Sequence, residues 1–397
     1  MDSSSNIVIG IDASNIRAGG GFNHLVELCN AINVSPEQKI EFIIWGSSSL
    51  LSCINNSATF EKVAVAELDK NLMRRTFWQI FRLSKQAKVK KCDLLFVPGG
   101  SHYGLFAPIV SMHQNLLPFD LKEIWRYRYS TRVLKFLALK LIQSITFYRS
   151  KGIIFLSEDS QSKVTGQLPG LRAKSSIIPH GIESRFHQKP KYQKLIEEYS
   201  FESPYRILYV STVDMYKHQW KVVEAVGMLR RQGYPITLDL IGGAYGPALK
   251  KLNSAIASND LAHSWVQYHG PISFKQLHRV YNEADLGVLA STCETFSIVL
   301  LEKMAAGLPI ACSSKGPFRQ MLGDAGTYFE AESASSIAEA LKSLVDSPKV
   351  RAKKARMSFE ASLNYSWELC AAETITFFES VIKSRGIATP KMQDSHV

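Results

Sequence analysis

Residues Ala284–Pro309 read ADLGVLASTCETFSIVLLEKMAAGLP. A short apolar run, Leu286–Leu289, predicts a buried strand that continues to Ala290, and a polar loop follows. From Phe296 or Ser297 the apolar positions recur at helical spacing, until Gly307 and Pro309 stop the helix and launch the next strand. The same alternation extends along the whole chain. Ile7–Ile11, Glu41–Trp45, Leu94–Val97, Ile109–Met112 and Ile153–Leu156 predict strands in the first half. Ile207–Val210, Ile236–Ile241, Val266–Tyr268, Leu286–Leu289 and Pro309–Cys312 predict them in the second. Helical patterns lie between them, among them Gln219–Gln232, Phe274–Glu283 and Ile298–Ala306. Strands alternating with helices predict an α/β chain built on parallel sheets.

The chain has 397 residues, enough for two or three domains. The alternation pauses at the polar stretch His187–Pro204. We therefore expect a first domain over 1–187, a linker over 188–204, a second domain over 205–360, and a terminal helix with tail over 361–397. Doubly wound sheets bind ligands outside the carboxyl ends of their strands, so two such domains facing each other put the site in the cleft between them. A composition of 46% hydrophobic and 21% charged residues excludes a disordered chain. The six cysteines form no CxxC or other zinc pattern, which predicts reduced thiols. The start, MDSSSNIVIGIDAS, lacks the basic region of a signal peptide. The best candidate span, Val133–Tyr148, is interrupted by Lys135 and Lys140. A cytoplasmic protein is the resulting expectation.

The net charge is +12 and lies mostly in the first half, where 26 Lys/Arg face 16 Asp/Glu in residues 1–200. Lys70–Lys91 holds eight basic residues and no acid; Lys122–Lys151 holds eight and one acid, Glu123. Both carry aromatic residues at helical spacing, which suits helices lying on an anionic membrane. Each basic side chain there contributes about 1 kcal/mol. No nucleic-acid-binding signature accompanies the charge, so no nucleic acid is expected as partner.

The chemistry concentrates around Ala284–Pro309. Glu294 and Glu302 are eight residues apart. With Glu294 in the loop and Glu302 on the second helical turn, the unpaired amides of residues 296–299, spanning Phe296, Ser297 and Ile298, form an anion site facing the cleft. In the first half, Arg17–His24 reads RAGGGFNH, and Gly19, Gly20 and Gly21 let the backbone approach a ligand closely at a helix start.

The 284–309 string resembles the E-x7-E motif of GT-B retaining glycosyltransferases, above all glycosyltransferase family 4, with Ser297 where glycine is commoner. The resemblance implies a GT-B fold, two Rossmann-like doubly wound domains facing a central cleft. ILYVSTVDMYKHQ, Ile207–Gln219, is similar to the family's phosphate-binding strand and loop. Lys217 matches its lysine, and Thr212 stands where arginine is usual, so His218 or Lys221 becomes a candidate substitute. Tyr268 and Gly270, in VQYHGPI, match the segment that flanks the nucleotide base. His113, in IVSMHQNLLPFD, resembles the histidine that reaches the transferred sugar, with Gln114 for the commoner aspartate and Pro118 one residue late. IIPHGIESRF resembles the family's interdomain hinge, with His180 for asparagine, and Tyr365–Glu368 the start of its terminal helix.

The resemblance implies metal-independent, cofactor-free transfer of a hexose from a UDP- or GDP-linked donor, with retention. The acceptor would be a glycan or a polyprenyl-diphosphate-linked sugar, as in O-antigen or capsule assembly at the inner face of the plasma membrane. Glu294, His113 and Lys217 become the catalytic candidates, and Glu302 the partner of the ribose hydroxyls. The alternatives are a phosphorylase or epimerase using the same cleft, and a catalytically idle scaffold binding membrane or nucleic acid.

Overall fold

The computed structural model describes residues 6–34 and 39–384. The first domain is a seven-stranded parallel sheet of β1 (Ile7–Asp12), β2 (Ile40–Gly46), β3 (Phe60–Ala64), β4 (Leu94–Val97), β5 (Ile109–Met112), β6 (Gly152–Phe155) and β7 (Lys174–Ile177). Their order is β3-β2-β1-β4-β5-β6-β7. The second is a six-stranded sheet of β8 (Tyr205–Val210), β9 (Ile236–Ile241), β10 (Val266–Gly270), β11 (Leu286–Leu289), β12 (Ile310–Ser313) and β13 (Gly326–Phe329), ordered β10-β9-β8-β11-β12-β13. Every pairing is parallel.

Helices cover both faces of such sheets, which is why the central strands read as unbroken apolar runs. β4 and β11 are buried at every residue. Three strands escape the sequence reading, β3, β7 and β13, and all three are sheet edges. An edge strand packs less of its surface, and polar residues leave FEKVA, KSSI and GTYF with short apolar runs.

Each sheet has one point where the strand order reverses, between β1 and β4 in the first domain and between β8 and β11 in the second. The carboxyl ends of the two sheets confront each other. Ser157 Oγ, just past β6, donates to the Thr295 carbonyl, past β11, at 2.5 Å. Thr295 Oγ1 donates to the Gln114 carbonyl, past β5, at 3.3 Å. Farther out, Arg126 forks onto Glu332, with its nearer contact at 2.8 Å, and Tyr127 OH donates to Asp214 Oδ1 at 2.6 Å.

Residues 188–204 are irregular except for one 3-10 turn at Ile196–Glu198. They are fixed to the second domain by the buried Arg351, whose guanidinium donates to Gln193 Oε1 (3.0 Å) and to the carbonyls of Leu344 (2.8 Å) and Lys194. Arg351 belongs to the helix Pro348–Ser362, so the expected boundary at 360 falls inside a helix. The helix Trp367–Lys383 starts at an N-cap, Ser366, and crosses back to the first domain. There Phe378 meets Phe96 at 5.0 Å between ring centroids, and Phe377 and Val381 crowd Gly152. At the hinge, a Cβ on Gly181 would sit 2.2 Å from the Trp367 amide nitrogen. The expected tail, residues 385–397, lies outside the described residues.

Candidate active site

The loops leaving β8 and β11 flank the strand-order reversal of the second sheet, and each brings one charge. Lys217 comes from the first and Glu294 from the second, and Lys217 Nζ is ion-paired with Glu294 Oε1. Their side chains are only 8% and 15% exposed. The pair is rigidly mounted. Tyr209 OH, rising from β8, donates to the Lys217 carbonyl and accepts from the Ala290 amide at 3.1 Å. The Thr292 amide donates to the Tyr216 carbonyl at 2.9 Å, tying the loops together. The Tyr216 ring lies 4.9 Å from the Lys217 ammonium.

Just past Glu294 the helix Ile298–Ala305 begins. Its N-cap, Ser297, makes no side-chain capping bond, and the buried Ser297 Oγ has no partner. The first-turn amides lack intrahelical acceptors and carry the positive end of the helix dipole. Phe296 is clamped between His180 (5.3 Å) and Tyr365 (5.8 Å), which fixes where the helix starts.

Opposite this helix stands the glycine run. Gly19, at φ 75°, is the N-cap of the helix Gly20–Ala31, and neither Gly19 nor Gly20 has an atom within 4 Å of where a Cβ would lie. Gly21 abuts Gln114, whose own carbonyl accepts from Thr295. The structure therefore sets Lys217, Glu294 and the start of the helix at Ser297 and Ile298 together at the carboxyl end of the second sheet, with Gly19–Gly21 approaching through Gln114 and Thr295, while Phe296 packs inward against the hinge. Tyr268 and Gly270 lie at the end of β10; Tyr268 OH donates to the Gly242 carbonyl at 2.9 Å, and Gly270 has φ 68° with open space beside it.

Four expectations need correction. Thr212 is exposed and contributes only its carbonyl, to Gln219 Nε2 at 3.0 Å. Neither suggested replacement for the missing arginine serves as a cation there. Lys221 pairs with Glu224 on its own helix at 2.7 Å, and burial pushes the His218 imidazole down to about 3. His113 does not face the open crevice. It is fully buried, edged by Phe119, Phe147 and Phe155, with Nε2 3.0 Å from the Asn115 carbonyl and Nδ1 unpartnered. Burial pushes it down to about 4, so it is neutral at neutral pH.

Glu302, the fourth, is 2% exposed and accepts a hydrogen bond from Tyr281 OH at 2.7 Å. Beside it lies only a very small cavity, about 10 Å³, lined by Asn23, Gly181, Phe186, Ile298 and Trp367. Burial pushes the Glu302 carboxyl up and the neighbouring Lys303 ammonium down. The sequence reading missed both Tyr281, which donates to this carboxylate, and the buried charge next to it. Lys303 is fully buried, donates to the Val299 carbonyl at 3.2 Å and lies under Gly287. A glycine in the middle of the β11 apolar run was the available signal, because its missing side chain leaves room for the lysine stem.

Among the described residues, no His, Cys, Asp or Glu group is arranged to hold a metal ion. No described helix is long and apolar enough to cross a membrane. The two basic stretches are only partly free. Arg126 forks onto Glu123 and Glu332, Arg132 reaches Asp214, and Arg75 turns inward to the Ser14 carbonyl. The helix Arg132–Arg149 nonetheless exposes Leu134, Leu137, Leu141, Ile145 and Tyr148, a single stripe at helical spacing. Phe77, Phe81 and Val89 are exposed on the other stretch.

Residues 192–360 match the family model of glycosyl transferases group 1. Sucrose-phosphate synthase from Thermosynechococcus elongatus superposes with a TM-score of 0.73 over 96% of this chain and all of that one, at 14% identity. HepE of Anabaena, solved in complex with UDP, superposes with a TM-score of 0.68 over 94% of this chain and all of that one, at 15% identity.

The fold is GT-B.

An O-antigen chain mannosyltransferase B from Escherichia coli is 27% identical over 245 residues, 60% of each chain. The chain thus spans less than two thirds of that relative's length. The GT-B frame matches the observed geometry, with the crevice between facing carboxyl ends and the matched glycosyl transferase segment supplying Lys217, Glu294 and the helix behind them.

Proposed function

We propose that this protein is a retaining glycosyltransferase of the family 4 type. It moves a hexose from a UDP- or GDP-linked donor to a glycan or lipid-linked acceptor in the assembly of a surface polysaccharide. The observation that carries the reading is the Lys217–Glu294 pair at the mouth of the helix Ile298–Ala305, inside the interlobe crevice.

The chemical problem in sugar transfer is the charge of the departing diphosphate. Lys217 and the first-turn amides are fixed donors aimed at that charge, in a site from which most water is excluded. Glu294, held beside the ammonium, accepts from hydroxyls of the donor hexose and faces the positive charge that develops on the ring. The backbone at Tyr268–Gly270 flanks the base. With no further base beside the pair, the leaving phosphate oxygen takes the acceptor proton, which transfers the sugar with retention. The O-antigen mannosyltransferase likeness supports a polysaccharide setting. The exposed apolar stripe of Arg132–Arg149, together with the exposed rings of the Lys70–Lys91 stretch, supports a peripheral position on an anionic membrane.

The test is a screen of nucleotide sugars with a polyprenyl-diphosphate-linked sugar as acceptor, read by mass spectrometry for the added mass and by NMR for the anomeric configuration of the product. The reading predicts one donor whose hexose mass is added to the acceptor with the anomeric configuration kept. Inversion, or no added mass with any donor, contradicts it.

A further inference from the structure

The crevice lies at the carboxyl ends of the second sheet, and a second hollow lies at the amino ends of the same strands. Tyr205 opens β8, and its amide donates to the Pro235 carbonyl, just before β9, at 2.8 Å. Beside that junction is a cavity of about 500 Å³, lined by linker residues, by the turn 232–235 and by Asp346. The six residues of β8, at about 3.3 Å each, put about 20 Å of strand between this cavity and the crevice. Donor binding does not account for it.

Its lining mixes aromatic rings with carboxylates. Tyr199, Phe201 and Tyr234 supply the rings, and Glu197, Glu202 and Asp346 supply the acids. No Lys or Arg lines it, in a chain of net charge +12. Each ring nevertheless carries one of the chain's own cations. Arg230 lies 4.7 Å from the Phe201 centroid, Lys342 5.3 Å from that of Tyr234 and Lys194 6.0 Å from that of Tyr199. A cationic guest would find the rings already engaged by cations, and an anion would face three carboxylates. A purely apolar guest would strip water from those carboxylates without replacing it. What remains is a neutral guest that is apolar on its faces and polar at its edges. A sugar ring has that form: its C–H faces pack on aromatic rings and its hydroxyls donate to carboxylate oxygens.

The lining is also held in place before any guest arrives. Ser200 Oγ donates to Glu202 Oε2 at 2.7 Å and accepts from the amides of Glu202 (3.2 Å) and Ser203 (3.1 Å). Tyr234 OH donates to Asp346 Oδ1 at 2.7 Å, and Tyr199 packs edge-on against Tyr205 at 5.2 Å between centroids. Glu197 is ion-paired with nothing among the described residues, and Phe201 is 57% exposed. Fixed rings beside a free acceptor lower the ordering cost of binding.

We propose that this cavity is a second carbohydrate site, which holds a neutral glycan away from the crevice. Phe201, Tyr199 and Tyr234 pack against its C–H faces, and Glu197 and Glu202 accept from its hydroxyls. Carbohydrate binding here does not depend on the glycosyltransferase reading above. The use of that glycan, a substrate or product chain kept close to the enzyme, does rest on it.

The experiment titrates the full chain with maltotriose, with mannotriose and with spermidine, and reads dissociation constants by ligand-observed NMR. We expect saturable binding of at least one trisaccharide. Phe201→Ala should weaken it at least tenfold at unchanged melting temperature, because the ring is mostly exposed. Phe201→Tyr keeps a ring and should retain it, and Glu197→Gln should weaken it less than Phe201→Ala does. Tyr192→Ala removes an exposed ring of the linker outside the cavity and should have no effect. No saturable binding of either trisaccharide overturns the proposal, as does equal weakening by Tyr192→Ala. Spermidine binding that is lost in Phe201→Ala overturns it in favour of a cation site. Trisaccharide binding that depends on Phe201, in a chain that transfers sugar from no donor, sinks the glycosyltransferase reading and leaves this site standing.

Discussion

Replacing Lys217 by Ala removes the cation that the account places against the leaving diphosphate. The loss has two parts. In the ground state Glu294 keeps its charge without a partner. Breaking a fully buried pair in this way costs about 3–5 kcal/mol. Glu294 is 15% exposed and borders the crevice, so water replaces part of the ammonium and the stability loss falls to about 1–3 kcal/mol. In the transition state one preorganised donor disappears, which costs about 2.7–4 kcal/mol, or 10²–10³ in kcat. The assay is turnover of the donor found by the nucleotide-sugar screen, with thermal melting alongside. Lys217→Ala should lose the activity while remaining folded. In Lys217→Ala/Glu294→Ala the stranded carboxylate is gone, so melting should recover toward wild type while turnover stays low. A Lys217→Ala enzyme that keeps more than a tenth of wild-type kcat refutes the role.

Gly181→Ala pushes a Cβ to 2.2 Å from the Trp367 nitrogen and must pull the terminal helix off the hinge. We expect a loss of at least 3 kcal/mol in denaturant melts, of the order of severe overpacking, whereas Gly19→Ala, strained at φ 75° but in open space, should cost about 1–2 kcal/mol. His113 is pushed down to about 4, His180 and His218 to about 3, and His24 well below its ordinary value, all chiefly by burial. Below pH 6.5 the unfolded chain binds protons that these imidazoles refuse, so stability present above pH 6.5 is lost as pH falls toward 4, by up to about 1.4 kcal/mol per histidine per pH unit. The carboxyls of Glu27, Glu302 and Glu373, raised by burial, work in the opposite direction, but with His187 also pushed down they are three groups against five. Melting temperature should therefore drop steeply between pH 6.5 and 4.5, and a flat profile would contradict these burials. Leu137→Glu/Leu141→Glu, on the exposed stripe, should abolish co-sedimentation with anionic vesicles at unchanged melting temperature; wild-type binding to neutral vesicles at equal strength would defeat the electrostatic part.

The strands legible in the sequence are mostly central ones, whose burial on both faces favours apolar runs; β10, an edge, is the exception. The three strands that escape are edges, where polar residues are tolerated. Glu294 and Lys217 are legible because the strings around them resemble a family motif, and the structure sets both past strand ends next to the point where the order of the second sheet reverses. His113 occupies a similar strand end, yet Phe119 from its own stretch and Phe147 and Phe155 from two other segments close over it, and nothing within its own stretch announces the last two. Arg75 reads as part of a solvated basic face, but a partner 61 residues away turns it inward. The same holds for Lys303 with Gly287 and for His24 with His180, whose Nδ1 atoms lie 2.7 Å apart across 156 residues. Local spacing shows which face of an element is buried; it does not show which residue of another element will meet it.

Nucleotide titration tests the donor site without knowledge of sugar or acceptor. Melting curves are recorded with rising UDP and with rising GDP, for the wild type and for Lys217→Ala. A ligand at a hundred times its dissociation constant adds about 2.7 kcal/mol, a rise of several degrees. The account predicts that one of the two nucleotides gives this saturable rise and that it shrinks sharply in Lys217→Ala. No rise with either at millimolar concentration, or the same rise in both proteins, would contradict it.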